Sequence, residues 1–143
     1  MSQHGLYIED LQPGMSAVWG KTITEADILM FAGVSGDTNP VHLNQEFAAD
    51  TVFHGRIAHG MLTASLISTV IGTKLPGPGC VYLTQTLRFL APVRAGDTVN
   101  AHVTVREVNV EKRRITLDTA CRVVGKDVLI GEALVMVSRR PTG

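Results

Sequence analysis

Gly60-Met61-Leu62-Thr63-Ala64-Ser65-Leu66-Ile67-Ser68-Thr69-Val70-Ile71-Gly72-Thr73 is the stretch on which the fold turns. It is poor in charge and puts apolar residues on most sides of a helical projection, the pattern of a helix buried on nearly every face. Its β-branched residues would also suit a strand, but its length favours a helix. Leu75-Pro76-Gly77-Pro78-Gly79 ends it, since Pro and Gly break regular structure. The apolar run from Met61 to Ile71 is too short to span a bilayer and contains Thr and Ser.

Downstream, apolar residues recur with period two, as strands require. Val81, Leu83, Gln85, Leu87 and Phe89 share one face; Val99, Ala101, Val103 and Val105 form another set. Ile115, Leu117, Thr119, Cys121 and Val123 follow, then Ala133, Val135 and Val137. Ala95-Gly96-Asp97 and Gly125-Lys126-Asp127 read as turns, with another between Asn109 and Arg114. Upstream, Ala17 to Ile23 reads as a strand. Thr24 and Asp27 then open a helix as a capping-box pair, with Ile28, Leu29, Phe31 and Ala32 on its apolar face and Gly36 as its stop. Asp37 to Pro40 is a loop, because Pro40 disfavours helical geometry at Asn39. A short helix is expected over Asn44–Asp50 and a loop over Val52–His59.

One buried helix followed by antiparallel strands packs economically as an α+β domain, a curved sheet wrapped around a long central helix, and 1–143 reads as one such domain. The open edges of such a sheet lead us to expect a homodimer. Hydrophobic residues make up 45% of the chain and charged ones 18%, which excludes a disordered chain. Lys plus Arg (13) balance Asp plus Glu (13), so nothing draws the chain to nucleic acid or an anionic membrane. Cys80 and Cys121 have no metal-ligand spacing and read as buried free thiols. No secretory leader is read, and a cytoplasmic location is expected.

The densest polar cluster is Ser35-Gly36-Asp37-Thr38-Asn39-Pro40-Val41-His42. A carboxylate and an imidazole held by a rigid Asn-Pro can take and return a proton near neutral pH. Equally, Asp37 could merely cap the turn and His42 could be a hydrogen-bonded core residue. Ile57-Ala58-His59-Gly60-Met61 leads into the buried helix, whose first N–H groups have no internal partner. Gly60 would let a ligand oxygen reach them, as an enolate-like oxygen requires, or would only permit a tight turn.

Phe31-Ala-Gly-Val-Ser-Gly-Asp37-Thr-Asn-Pro-Val-His42, with Ala48 following, resembles the hydratase-2 motif of the MaoC-like (R)-specific enoyl-CoA hydratases. His59-Gly60-Met61 with Ser65 and Ser68, and Tyr82-Leu-Thr-Gln-Thr-Leu-Arg-Phe89 with Pro92 and Gly96-Asp97, are similar to that family too. The likeness runs from about Gly14 to Val137. It implies a hot-dog fold, a homodimer, and reversible hydration of short- to medium-chain trans-2-enoyl-CoA to (R)-3-hydroxyacyl-CoA, as in fatty-acid metabolism or polyhydroxyalkanoate precursor supply. It implies catalytic roles for Asp37 and His42, which would hold one water and shuttle its proton to C2. The Gly60 N–H would bind the thioester oxygen, and Ser68 would place the water or line the pocket. Asn39 would support that loop, and Ser65 and, by analogy, Arg88 are substrate-binding residues on the same likeness; apart from it, His59 reads as a substrate-side buttress of the loop, and Ile71, with Leu66 and Val70, as setting the acyl-chain depth or as ordinary core. The acyl-CoA is substrate, and no cofactor or metal is implied.

Other polar groups have modest claims. Arg88 and Arg94 are possible CoA contacts, and Lys112-Arg113-Arg114 could meet the CoA phosphates or form a charged hairpin turn. His54 belongs to a solvated loop or the site entrance, His102 to an outward strand face, and His4 to a flexible N-terminal segment. The alternatives left open are a dehydratase of a branched, dicarboxylic or carrier-protein-bound 3-hydroxyacyl thioester, a hot-dog thioesterase, and a non-catalytic thioester-binding module.

Overall fold

The computed structural model describes residues 3–143. After a 3-10 turn at Ile8–Asp10 come β1 (Ser16–Thr22), α1 (Glu25–Ser35), α2 (Pro40–Leu43), α3 (Gln45–Ala49), α4 (Gly60–Thr73), β2 (Val81–Gln85), β3 (Arg88–Phe89), β4 (Thr98–Asn109), β5 (Arg114–Val123) and β6 (Lys126–Met136). The strands form one antiparallel sheet in the order β1-β4-β5-β6-β2, with β3 also on β6. The sheet curls around α4, which packs on β1, β4 and β5. Its inner face alternates as the sequence does: Val99, Ala101, Val103 and Val105 on β4 and Ile115, Leu117 and Cys121 on β5 are buried. Small residues line the ladder, Ala101 beside Cys121 and Ala133 beside Leu117, which leaves room for Leu62, Leu66, Ile67, Val70 and Ile71 of α4.

Several expectations need correction. α4 is not buried all round: Met61, Ser65, Ser68 and Gly72 form an exposed stripe at helical spacing, because the sheet covers only one side of it. The run from Val81 to Phe89 is not one strand with an inward apolar face. A register shift between Tyr82 and Thr84 and a break after Gln85 divide it, and Val81, Leu83 and Phe89 are exposed. On α1, Ile28 and Ala32 face the core while Leu29 is 58% exposed, since the buried stripe follows i, i+4 spacing. β6 begins at Lys126, well before the strand read at Ala133, and α2 is an additional helix. His4 is not loose: its ring stacks on Tyr7 with centroids 4.2 Å apart, and the following Gly5 and Leu6 N–H groups bond to the Pro78 and Pro76 carbonyls.

Candidate active site

The polar loop is built from the end of α1. Thr24 Oγ1 and the Asp27 carboxylate cap the start of α1 reciprocally, and Gly36 closes it in the left-handed region at φ 78°. The Asp37 N–H then donates to Ser35 Oγ (3.1 Å), and Asp37 Oδ1 accepts from the Asn39 N–H (3.2 Å). Asn39 Oδ1 in turn accepts from the Val41 N–H, capping α2, whose first residue is Pro40. So Asp37 does shape the turn, but with one oxygen only. The one-turn helix α2 carries His42 inward to 7% exposure. His42 Nδ1 lies 2.8 Å from the Ile57 carbonyl oxygen. A carbonyl only accepts, so Nδ1 bears a proton, and in the neutral ring it is Nε2 that offers a lone pair.

His59 is buried beside this loop. Its Nε2 donates to the Asp37 carbonyl oxygen (2.9 Å), and its ring stacks on His42 with centroids 3.8 Å apart and planes 27° apart. A carboxylate oxygen of Asp37 and one nitrogen each of His42 and His59 all lie within 4.8 Å of one another. One water donating to two acceptors at ordinary hydrogen-bond lengths spans about 4.5 Å between them, a length that falls inside the bound on the Asp37–His42 pair. The same three groups could hold a divalent ion. However, the rings are nearly parallel, so their in-plane lone pairs run side by side rather than converging, which suits the water better.

Asp37, His59 and Gly60 open onto a cavity of about 470 Å³ whose walls are mostly apolar, among them Phe53, Ile57, Phe89, Leu90 and Leu129. Gly60 starts α4, and its N-cap His59 makes no side-chain capping bond, so no cap side chain covers the free N–H groups of the first turn. The absence of a side chain at Gly60 also has a packing reason. A Cβ there would stand 2.6 Å from Phe89 Cε1.

The other candidates scatter. Asn39 stays in the loop as its cap, exposed. Ser65 and Ser68 lie on the outward stripe of α4, with Ser65 Oγ donating to the Leu62 carbonyl oxygen. Ile71 belongs to the hydrophobic core, and none of Ser65, Ser68 and Ile71 lines the cavity. Arg88 is exposed next to the cavity residue Phe89 and forms no ion pair among the described residues. Arg94 is a structural tie, since its guanidinium donates to the Phe53 and Arg56 carbonyls. Lys112 and Arg113 form the hairpin at the far end of β5 from the turn beside Val128, away from this cavity. His54 is exposed outside it and His102 is half-buried on β4. Cys121 is a buried free thiol, pushed up to about 12 by burial, and burial raises the half-buried Cys80 too. Phe53, which the sequence placed with His54 and Arg56 at a possible site entrance, does line the cavity, whereas the walls Ile57, Thr63, Leu90 and Leu129 escaped the sequence reading. Only the tertiary approach of three separate segments brings them together.

A family model described as "MaoC like domain" matches residues 11–127. The (R)-specific enoyl-CoA hydratase of Rhodospirillum rubrum is 57% identical over 134 residues, 94% of this chain and 93% of that protein. The 3-hydroxybutyryl-CoA dehydratase of Methylorubrum extorquens is 52% identical, covering 94% of this chain and 86% of that one. Among solved structures, the unliganded R-hydratase PhaJ1 of Pseudomonas aeruginosa superposes with a TM-score of 0.89 at 44% identity, covering 96% of this chain and 88% of that one.

Proposed function

The chain belongs to the MaoC-like domain family, and from that premise we propose that it is an (R)-specific enoyl-CoA hydratase, adding water reversibly to trans-2-enoyl-CoA of short to medium chain length. The observation that carries the reading is the convergence of the buried His42 imidazole, which does not itself line the apolar cavity, on the Asp37 carboxylate, which lines it together with Gly60 at the free N–H groups of α4. Asp37 and His42 hold the water. As its oxygen bonds to C3, the pair takes its proton, and negative charge moves to the thioester oxygen, where the Gly60 N–H receives it. The pair then delivers a proton to C2. Since one water and one pair serve both steps, H and OH add to the same face. The reaction is redox-neutral and balances with water alone. The apolar cavity takes the acyl chain, and Arg88, free beside Phe89, meets the CoA phosphates.

The exposed stripe of α4 and the exposed Val81, Tyr82 and Leu83 on the edge strand β2 form the face on which a second copy docks. Ser65 and Ser68 enter the site only through that assembly. No helix among the described residues is long and apolar enough to cross a membrane. The enzyme acts on free acyl-CoA in the cytoplasm.

Crotonyl-CoA with purified protein should yield (R)-3-hydroxybutyryl-CoA by chiral analysis. Asp37→Asn and His42→Ala should each lower kcat by about 100-fold or more. Parent-like rates in both variants, or release of free CoA, would refute the reading. Light scattering checks the dimer.

A further inference from the structure

We infer that His59 is a positioning residue for the acid–base pair: its ring sets the plane of His42, and its Nε2–H holds the Asp37 loop against that ring. The inference rests on the roles proposed above for Asp37 and His42.

Position 59 gains nothing from local structure. Thr24, Asn39 and Asn44 cap the helices they precede with side-chain bonds, whereas His59 precedes the longest helix and makes none. Histidine is not among the residues suited to that place. Burial gives no reason either. His59 is 2% exposed, and its Nδ1 is the one buried side-chain nitrogen or oxygen without a partner among the described residues. Such an orphan destabilises the folded state and calls for an explanation. What the ring does do is touch both members of the pair. It lies 3.8 Å from the His42 ring and bonds at 2.9 Å to the Asp37 carbonyl oxygen, with Phe31 of α1 a third ring at 4.9 Å.

The mechanical consequence follows. The bond from His42 Nδ1 to the Ile57 carbonyl is a single contact, which with the Cβ–Cγ tether restrains the imidazole but leaves a residual rotation within the tolerance of one hydrogen bond. A flat neighbour stacked at 3.8 Å closes that rotation, so Nε2 is aimed in one direction. The bond to Asp37 O anchors the backbone that carries the carboxylate. The separation of the two acceptors, on which a shared water depends, is thus set by a side chain that need not touch the water. A displacement of about 1 Å in such a pair costs on the order of 100-fold in rate.

His59→Gln keeps a donor where Nε2 stands but removes the ring; His59→Phe keeps a ring but removes the donor; His59→Ala removes both. With crotonyl-CoA we expect kcat to fall by about 100-fold in His59→Ala and by about 10-fold in each of the other two, with KM within about threefold of the parent. In 15N and 13C relaxation of the ring, the His42 imidazole should be rigid in the parent and gain motion in His59→Ala, while its Nδ1–H tautomer, held by the Ile57 carbonyl, persists in both. The Gln and Phe variants carry the test should the Ala variant fail to fold. Parent-like kcat in both Gln and Phe variants overturns the inference, as does a loss confined to KM. Product from the parent, with Asp37→Asn and His42→Ala inactive but the His59 variants unimpaired, overturns this inference alone. No product from the parent overturns the function proposed above and this inference with it.

Discussion

Gly60→Ala separates what the glycine does for packing from what it does for chemistry. A Cβ built at Gly60 stands 2.6 Å from Phe89 Cε1, 2.9 Å from Cδ1 and 3.1 Å from Cζ. Ordinary contact needs the ring to retreat by roughly 1 Å. Phe89 is 52% exposed and sits on the two-residue strand β3, so it can move. The overpacking cost therefore falls at the low end, about 1–2 kcal/mol. With Phe89→Ala in place the clash is gone, and Gly→Ala in a helix should then be neutral or stabilise by up to about 1 kcal/mol through the unfolded chain. Urea unfolding of parent, Gly60→Ala, Phe89→Ala and the double variant, at one protein concentration, should give a coupling of about 1–2 kcal/mol. Equal costs in the two backgrounds, within about 0.5 kcal/mol, would refute the packing argument. Because Phe89 also walls the cavity, Gly60→Ala should raise the KM for crotonyl-CoA even where the fold tolerates it.

Four further outcomes are expected. The bond from the Thr24 N–H, then the nearby Lys21 ammonium, hold the Asp27 carboxyl below its ordinary 3.8; its contribution is therefore complete above that pH and lost as pH falls through the lower folded value, so an acid titration of the urea midpoint should drop there and flatten in Asp27→Ala. The Cys121 thiol, pushed up to about 12 by burial, should react with a disulfide reagent at pH 8 only after unfolding, and later than Cys80; rapid labelling of both in native protein counts against the buried placement. Arg94→Met leaves the Phe53 and Arg56 carbonyls without their donor and should cost about 1–3 kcal/mol on melting, while raising KM because Phe53 walls the cavity. Leu129→Ala should cost about 2–5 kcal/mol and, by enlarging the cavity at a wall residue, shift kcat/KM toward longer enoyl-CoAs in a substrate panel.

The parts of the fold legible in the sequence are those where one face is buried along a whole element. β4 alternates from Val99 to Val105, up to the register shift before Glu107, and β5 from Ile115 to Cys121, and their inward residues are the ones the period-two pattern picks out. β6 was half-legible for a physical reason. Val128 and Leu129 are both buried and Ile130 is half-buried, so the strand is covered on both faces there, and its first half shows an apolar run in place of alternation. α4 misled in the opposite sense. Met61, Ser65, Ser68 and Gly72 are small or only weakly polar, so a face left open by the single chain looks in the sequence like one enclosed. The break before β3 lies at the close approach of Gly131 to the Thr86 carbonyl, a contact between segments with no local signature.

The site divides along the same line. Asp37, Asn39, Pro40 and His42 are contiguous, and their hydrogen bonds are local, so the turn could be read residue by residue. His59 and Gly60 could be read as a helix start, but not as neighbours of that turn. What joins the two segments is a pair of long-range bonds: the Ile57 N–H to the Val41 carbonyl at 3.2 Å, and His42 Nδ1 to the Ile57 carbonyl at 2.8 Å. Neither needs a particular side chain at position 57, since both use its backbone. The Nδ1 side of the imidazole is held by a carbonyl that every residue type, proline included, would supply equally, and for that reason composition and spacing carry no trace of it. The chemistry is thus encoded in side-chain types, which a sequence displays, while the 4.8 Å convergence that makes it usable is encoded in the closure of the loop from Leu43 to Ala58, which appears only in three dimensions.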